Sequence, residues 1–194
     1  MIRADTMNPL LIDLPEQIET PRLLLRCPMP GDGAMVHAGV VDALDALRAW
    51  PASLPWAMGE PSVEASEAFC RQSRVDHLAR KALPMLMILK DGGHYIGGSG
   101  LHTIDWSVPR FELGYWCRPA FQRQGLVSEA VQAITTLAFE HLGARRIVCL
   151  ADAANLPSQR VAERAGFELE GVMRHERRDP QGALHDTCLY AAVR

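Results

Sequence analysis

The sequence predicts a mixed α/β fold built on one sheet, and this prediction rests on three observations. The chain has 194 residues, the length of one ordinary domain, and 48% of them are hydrophobic. Apolar runs of strand length and apolar stripes of helical spacing follow one another in the order β-α-α-β-β-β-α-β-α-β-β. No repeat, low-complexity tract or linker interrupts that order. We therefore expect residues 1–194 to form a single domain, with residues 1–14 as a loosely ordered leader.

Breakers and cap residues bound the elements in the first part of the chain. Leu23 to Leu25 form the apolar centre of a strand whose start is blunted by Pro21. Asp32 and Ser62 are candidate caps of two helices. The predicted elements are a strand over about 17–27, a helix over about 32–49, an ordered loop rich in Trp and Pro over 50–56, and a helix over about 62–81.

A β-hairpin follows the second helix. An apolar run at 83–89 leads into the turn Asp91-Gly92-Gly93, and an extended segment covers 94–102. Glycines at 97, 98 and 100 leave that second strand without side chains at three positions. They indicate close approach by another backbone or by a ligand.

The second half alternates strands with two helices. The first of these helices carries an apolar stripe and ends naturally at Gly143. The predicted elements are strands over 110–117 and 145–151, a helix over about 126–141, a short helix from Asn155 to Gly166, and final strands over 167–172 and 185–193.

Composition and charge argue against several classes of protein. A net charge of −3 is unlike the strongly basic face of a general nucleic-acid binder. No apolar run approaches the ~20 residues of a membrane span, and the N-terminus lacks a hydrophobic signal core. The five cysteines are odd in number, widely spaced and without a C-x-x-C pair, which predicts reduced thiols. We expect a cytoplasmic protein.

The loop FQRQG, residues 121–125, joins a predicted strand to a predicted helix. The first N–H groups of a helix have no partner within it, and the helix dipole adds about half a positive charge there. Gly125 lets a ligand approach the backbone and Arg123 can add a charge-assisted contact, so the loop suits a phosphate. Taken alone, a solvated turn and helix cap explains this pattern better. It matches neither a P-loop, whose lysine is missing from residues 116–135, nor G-x-G-x-x-G.

Short motifs occur in a fixed order between residues 15 and 193. They are ETPRLLLR at 19–26, YIGGSGL at 95–101, ELGYW at 112–116, Gln122-x-x-Gly125-x-Val127, Asn155-x-x-Ser158, ERAGF at 163–167 and Glu170-Gly171. Together they resemble the GNAT family of N-acetyltransferases, and in particular its RimJ/RimL-type branch of ribosomal-protein N-terminal acetyltransferases. The one departure is Val127, where the family has Gly or Ala. Its branched side chain is expected to narrow the approach to the phosphates and to affect cofactor affinity modestly.

The resemblance implies a fold and a reaction. The GNAT fold has a mixed, mostly antiparallel central sheet of about seven strands with about four helices, and its fourth and fifth strands splay apart. The reaction moves an acetyl group from acetyl-CoA to a primary amine by direct attack in a ternary complex. No metal is implied, and His94 and His102 do not show the spacing of a zinc site.

The resemblance also implies which residues hold acetyl-CoA. Backbone groups of residues 122–128 would bind the pyrophosphate, and a backbone N–H near residues 115–117 would face the acetyl carbonyl. Asn155 would contact the pantetheine arm, although Asn is also an ordinary turn residue. The implied cofactor-binding residues are Trp116, Cys117, Arg118, Gln122, Arg123, Gln124, Gly125, Leu126, Val127, Ser128 and Asn155.

Two side chains are candidates for proton transfer. Glu112 shares a strand face with Gly114 and Trp116, and a carboxylate on a central strand is costly to bury without purpose. It is the candidate base or anchor for the amine; the alternative is an exposed or ion-paired strand residue. Ser158 falls where the family protonates or stabilises the departing thiolate; the alternative is helix capping.

The acceptor side is predicted from loop aromatics. Trp50, Trp56 and Trp106 are candidate walls of the amine pocket, and His102 follows the Gly-rich strand into the same region. Each has an ordinary alternative, as a core aromatic or a strand-end histidine. The acceptor is either a peptide N-terminus or a small amine, amino acid or antibiotic.

Two other functions compete with the enzyme. A non-catalytic acyl-CoA sensor would keep the FQRQG loop without needing Glu112 and Ser158. A nucleotide-dependent kinase is disfavoured by the missing Walker lysine. No nucleic-acid or membrane partner is expected, and a homodimer is compatible with the sequence.

Overall fold

A computed structural model describes residues 8–194, and its elements follow the predicted order with one strand added. The strands are β1 (Gln17–Glu19), β2 (Leu23–Arg26), β3 (Leu83–Leu89), β4 (Tyr95–Asp105), β5 (Arg110–Cys117), β6 (Arg146–Asp152), β7 (Glu168–Arg178) and β8 (Leu184–Val193). The α-helices are α1 (Gly33–Arg48), α2 (Val63–Leu78), α3 (Leu126–Glu140) and α4 (Leu156–Arg164). Of the predicted leader, residues 1–7 lie outside the described residues, and Pro9–Leu11 form a short 3-10 helix.

The added strand comes from the segment predicted as one strand over 17–27. Thr20 accepts the Leu23 N–H through its side chain and donates its own N–H to the Leu23 carbonyl, 2.9 Å in each case. The chain therefore turns at Pro21, and β1 pairs antiparallel with β2. The prediction of one continuous strand is wrong, because the residues next to Pro21 form a hairpin turn.

Within the described residues all eight strands form one sheet, in the order β1-β2-β3-β4-β5-β6-β8-β7. Only β5 and β6 are parallel. The predicted mixed, mostly antiparallel sheet with four helices is confirmed, with eight strands where about seven were expected. The predicted hairpin is β3 and β4, turning at 91–93.

The helices cover the two faces of the sheet in pairs. On one face Val36 of α1 and Cys70 of α2 pack against Leu86 of β3. Met85 and Met87 point to the other face, as alternation along a strand requires, and join a larger core. That core contains residues from α3 and α4, among them Leu126, Ala130, Ile134 and Ala162.

The helix ends agree only in part with the predicted caps. The Ser62 hydroxyl accepts the Ala65 N–H at 3.0 Å, as expected of a cap of α2. Asp32 stands at the cap position of α1, but its carboxylate makes no capping bond to that helix. Instead it accepts from Arg26 at 2.6 and 2.7 Å, so the expected capping by Asp32 is wrong.

No helix within residues 8–194 combines the length and the apolar character that a membrane crossing requires.

Candidate active site

The gap between β5 and β6 is the centre of the candidate site. The two strands pair only through Arg110–Glu112 and Arg146–Val148. Beyond that point β5 continues to Cys117 and β6 to Asp152, each paired on its outer edge with β4 or β8. The facing inner edges leave backbone groups free for an extended ligand with amides of its own. The splay expected of the fourth and fifth strands is therefore present, in strands numbered β5 and β6 because of the extra hairpin.

A cavity of about 790 Å³ lies beside this gap on the face covered by α1 and α2. Cys149 to Asp152 and Tyr115 also belong to its lining, so the cavity extends to the splayed strands. Seven residues predicted for the site line it, namely Trp50, Trp56, His102, Glu112, Trp116, Asn155 and Ser158.

Trp106 is the predicted acceptor residue that lies elsewhere. Its ring packs edge-on against Phe111 with centroids 5.2 Å apart, and its indole N–H donates to the Arg80 carbonyl at 2.9 Å. Trp106 belongs to the packing around the core and is absent from the cavity lining. An aromatic residue in a loop has no sequence signal that separates these two outcomes.

Glycines form the floor of the cavity. A Cβ at Gly98 would come 3.0 Å from the Trp116 indole nitrogen, and one at Gly114 would come 2.8 Å from Nε2 of His102. Both aromatic rings therefore occupy the space above these two glycines, which a side chain at either position would fill. At Gly100 a Cβ would meet the Leu83 carbonyl at 2.5 Å, so the neighbouring strand explains that glycine.

Glu112 stands on this floor, half-buried and opposite His102 on β4. No hydrogen bond or ion pair joins its carboxylate to any other residue in the described part of the chain. The alternative of an ion-paired strand residue is thus not what residues 8–194 show. A partly buried carboxylate without a partner is available to an incoming cation.

The start of α4 is assembled by Asn155, Ser158 and Tyr115. Asn155 is the cap, its side-chain oxygen accepting the Ser158 N–H at 3.1 Å. The Tyr115 hydroxyl donates to the Ser158 carbonyl at 2.8 Å and accepts from the Ser158 hydroxyl at 3.3 Å. Burial raises the pKa of Tyr115, so it stays a neutral hydroxyl. Asn155 therefore caps α4, which was the alternative role considered for Ser158.

The loop at 122–128 has the features of an anion cradle. Gly125 adopts φ 76° at the cap position of α3, a left-handed conformation suited to glycine. Within residues 8–194, the N–H groups of 123 to 128 donate to no protein acceptor. Gln122 to Gly125 are exposed. These donors fit a phosphate group, and they lie at the end of β5 where the splayed gap opens.

Arg22 fastens this loop to α3. It donates to the Gln124 carbonyl at 2.9 Å and pairs with Glu129 at 2.6 Å. Burial raises the pKa of Glu129, but hydrogen bonds from Thr20 and Arg22 outweigh it and hold the pKa below its usual value. Arg22 was not among the predicted site residues, and it lies about a hundred positions from the loop it supports.

The side chains of the other predicted cofactor residues have different surroundings. Leu126 is buried, and Val127 is half-buried and packs against the core, so the backbone of both remains as the ligand-facing part. Arg118 pairs with Asp42 of α1 at 2.8 Å. Burial raises the pKa of the Cys117 thiol to about 11, which keeps it protonated. The remaining residues, Arg123, Gln124 and Ser128, lie in the loop or in the first turn of α3.

A histidine held by two carboxylates adjoins the cavity and was not predicted. His185 on β8 bonds to Asp152 at 3.0 Å and to Asp179 at 3.1 Å, one through each ring nitrogen. These two carboxylates, Asp179 first, raise the pKa of His185. Asp152 follows a predicted buried strand directly, which is the one sequence signal that points to it. No group of three His, Cys, Asp or Glu side chains between residues 8 and 194 is arranged to hold a metal ion.

Comparison with curated proteins finds N-acetyltransferases. The chain is 33% identical over 109 residues to the ribosomal-protein-serine acetyltransferase of Escherichia coli (strain K12), covering 56% of this chain and 60% of that protein. It is 32% identical over 102 residues to YdaF, a candidate ribosomal N-acetyltransferase of Bacillus subtilis (strain 168), covering 53% of this chain and 55% of YdaF. The chain thus spans little more than half the length of the curated relatives it matches.

Comparison with solved structures covers nearly the whole chain. The ribosomal L7/L12 α-N-protein acetyltransferase RimL, in complex with coenzyme A, superposes with a TM-score of 0.84 and 26% identity over 92% of this chain and 98% of RimL. This match and the relatives named for ribosomal acetylation confirm the resemblance to the RimJ/RimL-type branch. The sequence model of the acetyltransferase (GNAT) domain matches residues 22–168, about three quarters of the chain. The chain therefore belongs to the GNAT acetyltransferase family.

Proposed function

We propose that the protein is an N-acetyltransferase that moves an acetyl group from acetyl-CoA to a primary amine by direct attack in a ternary complex. The observation that carries the proposal is the joint placement of Glu112 and Ser158. Both line one cavity at the splayed strands, whereas the unpaired N–H groups of 123–128 lie at the end of β5. A base, an acid and an anion cradle are the groups that this transfer needs.

The described residues fit acetyl-CoA along this path. The N–H groups of 123 to 128, aided by the dipole of α3, would hold its pyrophosphate. The inner edge of β5 would pair with the amides of its pantetheine arm, and Asn155 lies beside that path at the end of the gap. When bound, acetyl-CoA supplies an acetyl group activated as a thioester.

Glu112 is assigned to the amine. A primary amine is mostly protonated near neutral pH and has no free lone pair until a base removes the proton. The Glu112 carboxylate faces the cavity and has no partner among residues 8–194, so it can first attract the ammonium group and then take its proton, directly or through water.

Ser158 is assigned to the leaving group. Tyr115 holds both the Ser158 carbonyl and its hydroxyl, which orients the hydroxyl near the gap. That hydroxyl is placed to stabilise or protonate a departing thiolate. The neighbouring thiols are poor candidates for a covalent route, because burial, aided by Glu112, raises the pKa of Cys149.

A protein N-terminal amine is one acceptor class to test, because one relative is named ribosomal-protein-serine acetyltransferase. The experiment is thiol release from acetyl-CoA with a panel of peptides and small amines, together with a calorimetric titration of CoA. We expect CoA binding and amine-dependent thiol release. Tight CoA binding without turnover on any amine would favour the non-catalytic sensor, and absence of binding would reject both functions.

A further inference from the structure

The walls of the cavity beside Glu112 are apolar for most of their extent. One wall is α1, another is α2, and the loop between these helices closes the side with two tryptophans. The apolar side chains of these walls are Val36, Val40, Leu44, Trp50, Leu54, Trp56 and Phe69.

The floor and the inner end add further aromatic surface. The Trp116 ring lies between Trp56, with centroids 6.2 Å apart, and Tyr95, at 5.9 Å. Tyr95 is buried, and burial raises its pKa, so it adds no charge. The cavity of about 790 Å³ includes the end of the splayed gap that is assigned to acetyl-CoA, and the part that remains for the acceptor lies between α1, α2 and Trp116.

The charged groups of the cavity are four carboxylates and one cation, Arg177, which donates to the Ser53 hydroxyl at 3.0 Å. Three of the four carboxylates are engaged: Glu60 pairs with Arg48, Asp152 with His185, and Asp76 accepts from Gln72. Glu112 at the floor is the one without a partner among the described residues. An ammonium group is therefore attracted to Glu112, and the rest of the acceptor meets the apolar walls.

Polar acceptors suit these walls poorly. At the α1 wall and the tryptophan loop, a sugar amine or a polyamine would bring hydroxyl or ammonium groups against Val, Leu and Trp side chains. The polar side chains of the lining lie mostly along α2, among them Ser66, Gln72 and Asp76. A polar group that loses water without gaining a hydrogen bond costs binding free energy. An aromatic or branched aliphatic group gains from the same contact.

We propose that the acceptor is a primary amine attached to a bulky apolar group, which occupies the space between α1, α2 and Trp116 while its nitrogen lies at Glu112. The inference rests on the proposed function and specifies its substrate class. The same chemistry is offered by a small hydrophobic amine and by a peptide that begins with a large apolar residue.

The test is an equilibrium titration that does not depend on turnover. Three of the four tryptophans line the cavity, so intrinsic fluorescence reports its occupancy. Phenylalaninamide, leucinamide, glycinamide and lysinamide are titrated with and without CoA, since all four carry the same α-amine and amide and differ only in the side chain. We expect phenylalaninamide and leucinamide to bind at least about tenfold more tightly than glycinamide, because each buried methylene adds to affinity.

Phe69→Ala provides the matched variant. Phe69 is half-exposed on α2, so its removal leaves the fold intact, and we expect it to weaken phenylalaninamide binding severalfold while changing glycinamide binding little. Leu78→Ala is the control, an exposed apolar residue on the same helix that is absent from the cavity lining.

A tripeptide beginning with Phe distinguishes the two sources of the amine. Tighter binding than phenylalaninamide indicates a peptide acceptor, and equal or weaker binding indicates a small amine; both agree with the inference. Equal binding of glycinamide or lysinamide and phenylalaninamide, or no binding of any amine in either state, would overturn it. Binding of apolar amines without acetyl transfer would keep the inference about the pocket and reject the enzyme.

Discussion

Asn155 and Ser158 are three residues apart, and the sequence left two alternative roles for Ser158, helix capping and stabilisation of the departing thiolate. Asn155 supplies the oxygen that caps α4, whereas the Ser158 hydroxyl is bonded to Tyr115 beside the gap. A substitution at one position should therefore affect stability and a substitution at the other should affect catalysis.

Ser158→Ala should lower kcat by roughly 100-fold, the usual contribution of a positioned proton donor. It should change the Kd for CoA and the Tm little, because the cap remains. Steady-state kinetics, calorimetry and thermal unfolding measure the three quantities.

Asn155→Ala is the comparison for stability and should cost about 1 kcal/mol of unfolding free energy through loss of the cap. If Ser158→Ala lowered Tm as much as Asn155→Ala and weakened CoA binding as much as it lowered turnover, Ser158 would be structural.

At the scale of elements, the loop that connects β5 to α3 owes its shape to backbone conformation more than to side-chain contacts. Gly125 has φ 76°, and Arg22 bonds to the carbonyl immediately before it. The N–H groups that we assign to the pyrophosphate keep their directions only while this turn keeps its shape.

Gly125→Ala should cost about 1–2 kcal/mol of stability, the penalty for a left-handed residue with a Cβ. It should also weaken CoA binding by at least about tenfold, because one hydrogen bond to a charged group is worth about 1.5–3 kcal/mol. Gly143→Ala is the matched control at the other end of α3, since Gly143 has φ 65° and open space around it. Equal Kd values for CoA in the two variants would contradict the cradle.

The β7–β8 hairpin is linked to the end of β6 through His185. The pKa of His185 is raised above its ordinary value of 6.5, and the pKa of Asp179 is lowered from 3.8, each chiefly by its hydrogen bond to the other. The stabilisation of the folded state that comes from a raised histidine pKa is fully present below pH 6.5. It is lost as pH rises through the folded-state pKa. The Asp179 contribution is present above pH 3.8 and is lost as pH falls through its lowered pKa.

His185→Gln should therefore lower Tm more at pH 5.5 than at pH 9, as measured by thermal unfolding across pH. His37→Gln serves as the control, since His37 lies on α1 without a carboxylate partner among the described residues. A loss of Tm that is the same at both pH values would show that charge on His185 contributes nothing.

For the molecule as a whole, local signals predicted the fold, and long-range contacts escaped prediction. Glycine turns, apolar periodicity and cap residues are readable within short windows, and they predicted the four helices. The splay of two strands was expected only from the resemblance to the GNAT family. The hairpin at Pro21 was missed because a proline at a strand start and a proline in a turn look alike in sequence.

The candidate site divides in the same way. Glu112, Trp116 and Ser158, which the family resemblance singled out, line one cavity because each has a fixed place on β5 or α4. The Arg22 support and the Asp152–His185–Asp179 cluster join residues far apart along the chain, and no spacing rule connects such residues. The position of Trp106 was not predictable either. Whether a loop aromatic packs on the core or lines a cavity depends on distant partners such as Phe111.

We propose that the protein catalyses acetyl transfer with Glu112 receiving the amine proton, and the decisive measurement is the pH dependence of kcat/KM for Glu112→Gln. Amine-dependent thiol release is measured from pH 6 to pH 9.5, with Glu64→Gln, an exposed carboxylate of α2 outside the cavity, as the control. We predict a loss of roughly 100-fold near neutral pH that shrinks at high pH, where the amine is already neutral. A pH profile of Glu112→Gln that matches those of the wild type and Glu64→Gln would contradict the claim.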